Sequence, residues 1–291
     1  MTINKTTAWM LAARPRTLPA ALAPILLSQS LALSHENFSV TLALLILVCA
    51  LSLQIAVNIA NDLFDFQNGI DDPDRLGPPR AAQSGWLTVS ELKIGLLLAL
   101  LVSLISGIGL IACGGWIFAV LGILSIGAAL AYSAGPLPLA SNALGEITVF
   151  LFFGLLAVLG SYYLQTTELS WSAWIAAIQM GCLTSAIMLV NNLRDIPTDS
   201  RAGKRTLAVK LGTDNSRHLY YGLLLLPFGL LLLDSTTHTS LAWMALLPTI
   251  VMIRILSDRH GRVLNRQLAQ TALLCLVFSV LRSLDIWISL L

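Results

Sequence analysis

Long apolar runs separated by short polar ones make up almost the whole of this chain. Nine runs approach or exceed the roughly 20 residues that a helix needs to cross a bilayer. They cover 17–34, 41–60, 91–112, 116–133, 144–164, 171–192, 219–234, 240–256 and 268–290. None alternates apolar and polar positions as a barrel strand does, so helices are the expected spanning elements. The pattern predicts an all-α, polytopic membrane bundle of about nine transmembrane helices, with 1–291 forming one integral-membrane domain.

The segment ahead of the first run has no short apolar core followed by a small-residue cleavage site, so no cleaved signal is expected. It predicts an interfacial helix instead, with Trp9 and Met10 on the apolar side and Arg14 and Arg16 at the headgroups. Composition sharpens the picture. Only 11% of residues are charged and 56% are hydrophobic, where a soluble chain carries about 25% charge. Cys49, Cys113, Cys182 and Cys275 each stand alone in apolar runs, which gives no zinc spacing and no disulfide framework. The four histidines show no ligand spacing. The lipid bilayer is the expected partner, with no nucleic acid and no protein partner predicted.

A net charge of +2 says little, but its distribution orients the chain. Sixteen of the seventeen Lys and Arg residues fall at the N-terminus or around the segments after the second, sixth and eighth runs; Arg282, inside the ninth, is the exception. The intervening segments SHENFS, ACGG, QTTELSWS and LDSTTHTS contain none. The positive-inside rule then predicts a cytoplasmic N-terminus and an outer C-terminus.

Two polar clusters break the apolar pattern, both on the basic side. In NIANDLFDFQNGIDD (58–72), Asn58, Asn61, Asp62 and Asp65 stand at i, i+3, i+4 and i+7, one helix face, before Gly69 ends the helix. Asp71, Asp72 and Asp74 follow. In the second cluster Asn191, Asp195 and Asp199 repeat at steps of four. Val57-Asn58 with Asp62 echoes Val190-Asn191 with Asp195, which predicts two half-sites facing each other across a pseudo-symmetric bundle. An unpaired carboxylate at mid-bilayer depth costs about 2.5–3.5 kcal/mol, so acids gathered at the end of an apolar helix imply a purpose. Carboxylate and amide oxygens without His or Cys suit Mg²⁺, which completes its octahedron with phosphate oxygens and water. Arg75, Arg80, Arg201, Lys204 and Arg205 would face the same polyanion.

These clusters resemble the paired aspartate motifs of the intramembrane UbiA-type prenyltransferases. Within that family the likeness is greatest to the 1,4-dihydroxy-2-naphthoate polyprenyltransferases of menaquinone synthesis. It is carried by ARPRTLP (13–19), NDLFDFQNGIDDPDRLGPPRAAQSG (61–85), the stretch 132–165 and NNLRDIPTDSRAGKRTLAVKLG (191–212). The resemblance implies a UbiA-like fold in a bacterial inner membrane, with the active site on the cytoplasmic side. It implies transfer of a polyprenyl group from a polyprenyl diphosphate to dihydroxynaphthoate with loss of CO₂. Asn61, Asp62, Asp65, Asp195 and Asp199 would hold Mg²⁺, with Asn58 a further contact and Asp71 the later acid of the first motif. Lys204, Arg75 and Arg80 would grip the diphosphate, and Arg14 or Arg16 the acceptor carboxylate.

Glu146 would activate the acceptor hydroxyl or simply favour a helix N-terminus. Tyr132, Phe64, Phe152, Phe153, Tyr162 and Tyr163 are candidates to shield an allylic cation. Pro197 biases its predecessor away from α, so the second half-site is expected at a helix end. Other aromatic acceptors of the 4-hydroxybenzoate or homogentisate type remain open. So does an ion-coupled carrier, whose acids should lie nearer mid-span.

Overall fold

The computed structural model describes residues 3–35, 37–69, 76–135, 138–234, 240–257 and 259–290. Helices account for all of its regular structure, with no strand among the described residues. They are α1 (Lys5–Ala13), α2 (Pro19–Ala32), α3 (Val40–Gln67), α4 (Val89–Gly114), α5 (Trp116–Ala131), α6 (Gly145–Val149), α7 (Ser161–Thr166), α8 (Trp171–Arg201), α9 (Leu207–Leu231), α10 (Leu246–Leu256) and α11 (Leu264–Ser289). A π-helical segment, Phe150–Gly160, joins α6 to α7 into one rod. Five helical stretches are long and apolar enough to cross a membrane: α3, α4, Gly145–Thr166, α8 and Gly261–Ser289. Pro19–Ala32, Trp116–Ala131 and Leu241–Leu256 are shorter apolar helices, and α9 is interrupted at Gly212 (φ 75°, ψ 174°). Every apolar run of the sequence thus meets a helical segment. The molecule is a multi-pass membrane protein.

Helix α8 is the axis of the bundle. In its apolar stretch 83% is buried, against 17–44% for the other long helices. Small residues allow that enclosure: Ala173, Ala176, Ala177, Gly181 and Ala186 are buried along it. A Cβ on Gly154 of the π segment would stand 2.5 Å from the Gly181 Cα, so these two backbones touch because neither carries a side chain. Around α8 pack α9, the π segment, α11 and α2, with Leu183, Tyr220, Leu224, Phe278 and Leu27 in the shared core. Helices α3, α4 and α5 form the other wall. Their outer faces are apolar and exposed, as at Leu97, Leu101, Ile105 and Leu124, which suits lipid contact.

Local chemistry sets the ends. Thr88 and Glu91 close a capping box at the start of α4, and Lys5 Nζ reaches Glu91 Oε1 at 2.6 Å, tying α1 to that helix. Trp9 lies directly over Gly95 of α4, and Ala8 and Ala12 are buried in one cluster with Ile59 and Leu63 of α3 and Leu92 of α4. Helix α3 ends as its sequence predicts, with Gly69 at φ 65° just beyond Gln67. Pro197 lies inside α8, which runs four residues further to Arg201, so Asp195 and Asp199 share one helix near its C-terminal end. The proline's missing N–H removes the i+4 partner of the Leu193 carbonyl about one turn before the helix ends.

Candidate active site

A cavity of about 660 Å³ lies between α3, α5, the Gly145–Thr166 rod and α8. Its lining on α3 runs from Ile46 to Asp65, about 28 Å of helix rise. One end is polar and built from both clusters: Asn61 and Asp65 come from α3, and Asn191, Asp195 and Asp199 from α8. The rest is lined by apolar groups such as Leu53, Leu110, Phe118, Phe152 and Leu156. An anionic head and a long hydrocarbon tail are the two ligand parts that such a chamber accepts.

Three cations neutralise the acids. Arg80, 7% exposed, donates from Nη2 to Asp65 Oδ2 at 2.5 Å and from Nη1 to the Asn61 carbonyl. Lys204 Nζ stands 4.0 Å from Asp65 Oδ2 and 3.9 Å from Asp199 Oδ1, so one ammonium bridges the two helices. Asp195 is held from its own helix: Arg194 Nε and Nη2 reach its two oxygens at 2.8 and 2.5 Å. Arg194 also donates to Asn191 Oδ1 (2.9 Å) and to Asn265 Oδ1 of α11 (2.7 Å), and Asn265 donates to the Leu76 carbonyl (2.9 Å). This relay couples the second cluster to the chain that follows the first. Ser133 Oγ donates to Asn61 Oδ1.

The N-terminal turn closes another side. Arg14 ends α1 in the left-handed region (φ 52°, ψ 68°), a conformation costing a non-glycine residue about 1–2 kcal/mol. Asn58 Nδ2 helps to hold the turn by donating to the Ala13 carbonyl at 2.9 Å and to Thr17 Oγ1 at 3.2 Å. The result places Arg14 in the cavity lining.

This arrangement has relatives among known proteins. The profile of the UbiA prenyltransferase family matches residues 21–284. The chain belongs to the UbiA prenyltransferase family. It is 38% identical over 295 residues to a 1,4-dihydroxy-2-naphthoate octaprenyltransferase of Haemophilus influenzae, covering 96% of each chain. It is 37% identical over 277 residues to the enzyme of that name from Mycobacterium tuberculosis, covering 94% of each. Among solved structures, a UbiA homolog from Aeropyrum pernix K1 aligns with a TM-score of 0.67 at 15% identity, covering 99% of this chain and all of that one. A UbiA homolog from Archaeoglobus fulgidus bound to GPP and Mg²⁺ aligns at 0.64 and 18% identity, covering 96% and 99%. These likenesses share the fold. Membership of the UbiA family sets the carrier reading aside.

Within this UbiA fold the expected site residues divide. Asn58, Asn61, Asp65, Arg80, Tyr132, Asp195, Asp199 and Lys204 all line the cavity. Asp62 does not: its carboxylate accepts the backbone N–H groups of Ala81 (2.9 Å) and Ala82 (3.2 Å), anchoring the loop that carries Arg80. The echo between the clusters is therefore shifted. Asn61 with Asp65 faces Asn191 with Asp195, each a step of four, in place of Asn58 with Asp62. Arg16, Arg201 and Arg205 are exposed and outside the lining.

Glu146 is buried behind the wall, where its Oε1 accepts from Asn192 Nδ2 at 2.8 Å. Of the aromatic candidates Tyr132, Phe152 and Phe153 line the cavity, whereas Phe64, Tyr162 and Tyr163 do not. Asp71 and Arg75 lie outside the described residues. Sequence reasoning missed Ser133, Asn192, Asn265 and the grip of Arg194. Only Arg194 left a signal, as a basic residue beside an acid at the end of a long apolar helix.

Among the described residues no three His, Cys, Asp or Glu groups stand together as a ready metal cluster. The donor set of the polar end is hard oxygen, from Asp65 and Asp199 around one ammonium and from Asn61 and Asn191. That set fits Mg²⁺ once phosphate oxygens complete it.

Proposed function

We propose that this protein transfers a polyprenyl group from a polyprenyl diphosphate to 1,4-dihydroxy-2-naphthoate, releasing CO₂ and diphosphate and giving demethylmenaquinol. The observation that carries this reading is a single cavity with two aspartate clusters at its polar end and an apolar body. The names of the relatives support the choice of acceptor. Asn61, Asp65, Asp195 and Asp199 would hold Mg²⁺, which would supply positive charge against the leaving diphosphate. The single domain lies in a bacterial inner membrane with its N-terminus and polar end cytoplasmic, as the basic segments require.

In this reading Arg80 and Lys204 exchange partners on substrate binding. Both stand against Asp65 in the free protein, and both would turn to the diphosphate oxygens once the substrate enters. By motif alone, Arg75 would join these cations and Asp71 the acids of the first cluster. The allylic C–O bond then breaks and its electron pair leaves on the diphosphate. The apolar body excludes water from the cation, with Tyr132, Phe152 and Phe153 presenting ring faces. Arg14 holds the naphthoate carboxylate at the mouth of the site. The ring carbon that bears the carboxylate attacks the allylic carbon, and the carboxylate departs from that same carbon as CO₂, its C–C pair restoring the aromatic ring. Glu146 positions Asn192 and takes no proton.

Purified protein in detergent, given geranylgeranyl diphosphate and 1,4-dihydroxy-2-naphthoate, should form a prenylated naphthoquinol only with Mg²⁺ present. Asp65→Ala and Asp195→Ala should each abolish it. Consumption of the diphosphate without that product would move the acceptor to another aromatic. Full turnover by either variant would remove the two half-sites from the mechanism.

A further inference from the structure

Gln54 continues the polar face of α3 into the apolar part of the cavity. It precedes Asn58 by one turn, about 6 Å of rise, so Gln54, Asn58, Asn61 and Asp65 line the chamber in series. Its surroundings on α3 are Ala50, Leu53 and Val57. The side chain is 8% exposed, and its carboxamide oxygen has no hydrogen-bond partner among the described residues. Other buried glutamines are tied into the fold. Gln165 bonds both the N–H and the carbonyl of Ser39. Gln179 and Gln267, whose carboxamide oxygens are likewise unpartnered, still donate from Nε2, to the Pro227 carbonyl and to Tyr220 Oη and the Met252 carbonyl, whereas Gln54 makes no side-chain hydrogen bond among the described residues. None of these three lines the cavity. A buried amide that builds nothing in the protein, and that borders the chamber, is poised for a polar group of a ligand.

The prenyl chain offers none, whereas the acceptor does. We propose that Gln54 hydrogen-bonds the 4-hydroxyl of the dihydroxynaphthoate and so sets which ring carbon faces the allylic carbon. This rests on the acceptor assigned above and on Arg14 as the carboxylate site. Arg14 is fastened beside Asn58 through the Ala13 carbonyl. The carboxylate and the 4-hydroxyl are meta to one another, a separation comparable to the single turn between Asn58 and Gln54. The carboxamide N–H donates to the hydroxyl oxygen, and the ring edge bearing the reacting carbon is held toward the metal end. Gln54 acts as a specificity-determining residue.

The test is ligand-specific. In detergent, the affinity of 1,4-dihydroxy-2-naphthoate is measured against that of 1-hydroxy-2-naphthoate, which lacks only the 4-hydroxyl. Wild-type protein should prefer the dihydroxy compound by about tenfold or more, the worth of one good hydrogen bond. In Gln54→Met, a near-isosteric change, the preference should fall to about one, with the affinity for geranylgeranyl diphosphate as in wild type. An unchanged preference in a folded Gln54→Met variant would overturn the assignment. So would equal weakening of both naphthoates and the diphosphate, which marks a structural role. If wild-type protein binds geranylgeranyl diphosphate but neither naphthoate, the acceptor reading itself fails, and this arm shows it without any variant.

Discussion

Asp62 is the position where motif and structure part most sharply, and replacing it separates two kinds of aspartate. Its carboxylate accepts two backbone N–H groups, from Ala81 and Ala82, and is 2% exposed. A hydrogen bond to a charged acceptor contributes about 1.5–3 kcal/mol, so Asp62→Ala should cost roughly 3–6 kcal/mol. Asp62→Asn keeps one acceptor and turns an N–H₂ donor toward an amide donor, so it should recover less than half of that. Asp65 is different in kind. It faces the cavity, and its partners are Arg80 and Lys204, side chains that can turn to other anions.

Equilibrium unfolding in mixed micelles and Mg²⁺ titration of turnover read the two effects separately. Asp62→Ala should lower stability while its folded fraction keeps the wild-type half-saturating Mg²⁺ concentration. Asp65→Asn should also lower stability, because buried Arg80 loses its charge partner, but unlike Asp62→Ala it should raise the Mg²⁺ requirement of the folded fraction steeply. An Asp62→Ala protein as stable as wild type but starved of metal would refute the reasoning and return Asp62 to the ligand set.

Arg14→Ala should raise the half-saturating naphthoate concentration at least about tenfold, the loss of one charge-assisted contact, while Arg16→Ala, outside the lining, should leave it unchanged; steady-state kinetics with each substrate varied in turn decides between them. Gly154→Ala should destabilise by about 1–3 kcal/mol, because its Cβ would meet the Gly181 Cα at 2.5 Å and the Ala177 carbonyl at 2.7 Å. Gly127→Ala, with nothing within 4 Å, should not, and equal unfolding curves for the two would count against a backbone contact between α8 and the π segment.

The apolar runs, the one-sided basic segments and the oxygen-rich clusters are local properties of the chain. They determined the helical class, the membrane setting and the residue types of the site before any tertiary contact was considered. Periodicity also placed Asn58, Asn61 and Asp65 on one face of α3, because a helix repeats every 3.6 residues whatever surrounds it. What periodicity leaves open is the direction in which that face points. Asp62 and Asp65 are three residues apart on adjacent parts of the face, yet one meets the amides of Ala81 and Ala82 and the other meets the cavity. The difference depends on where the loop after α3 returns. In the same way Arg14 and Arg16 are equivalent in the sequence and divided by one left-handed turn that Asn58 holds from another helix. Asn265 reaches Arg194 from 71 residues away. Such contacts join segments whose separation along the chain carries no signal, and packing alone brings them together.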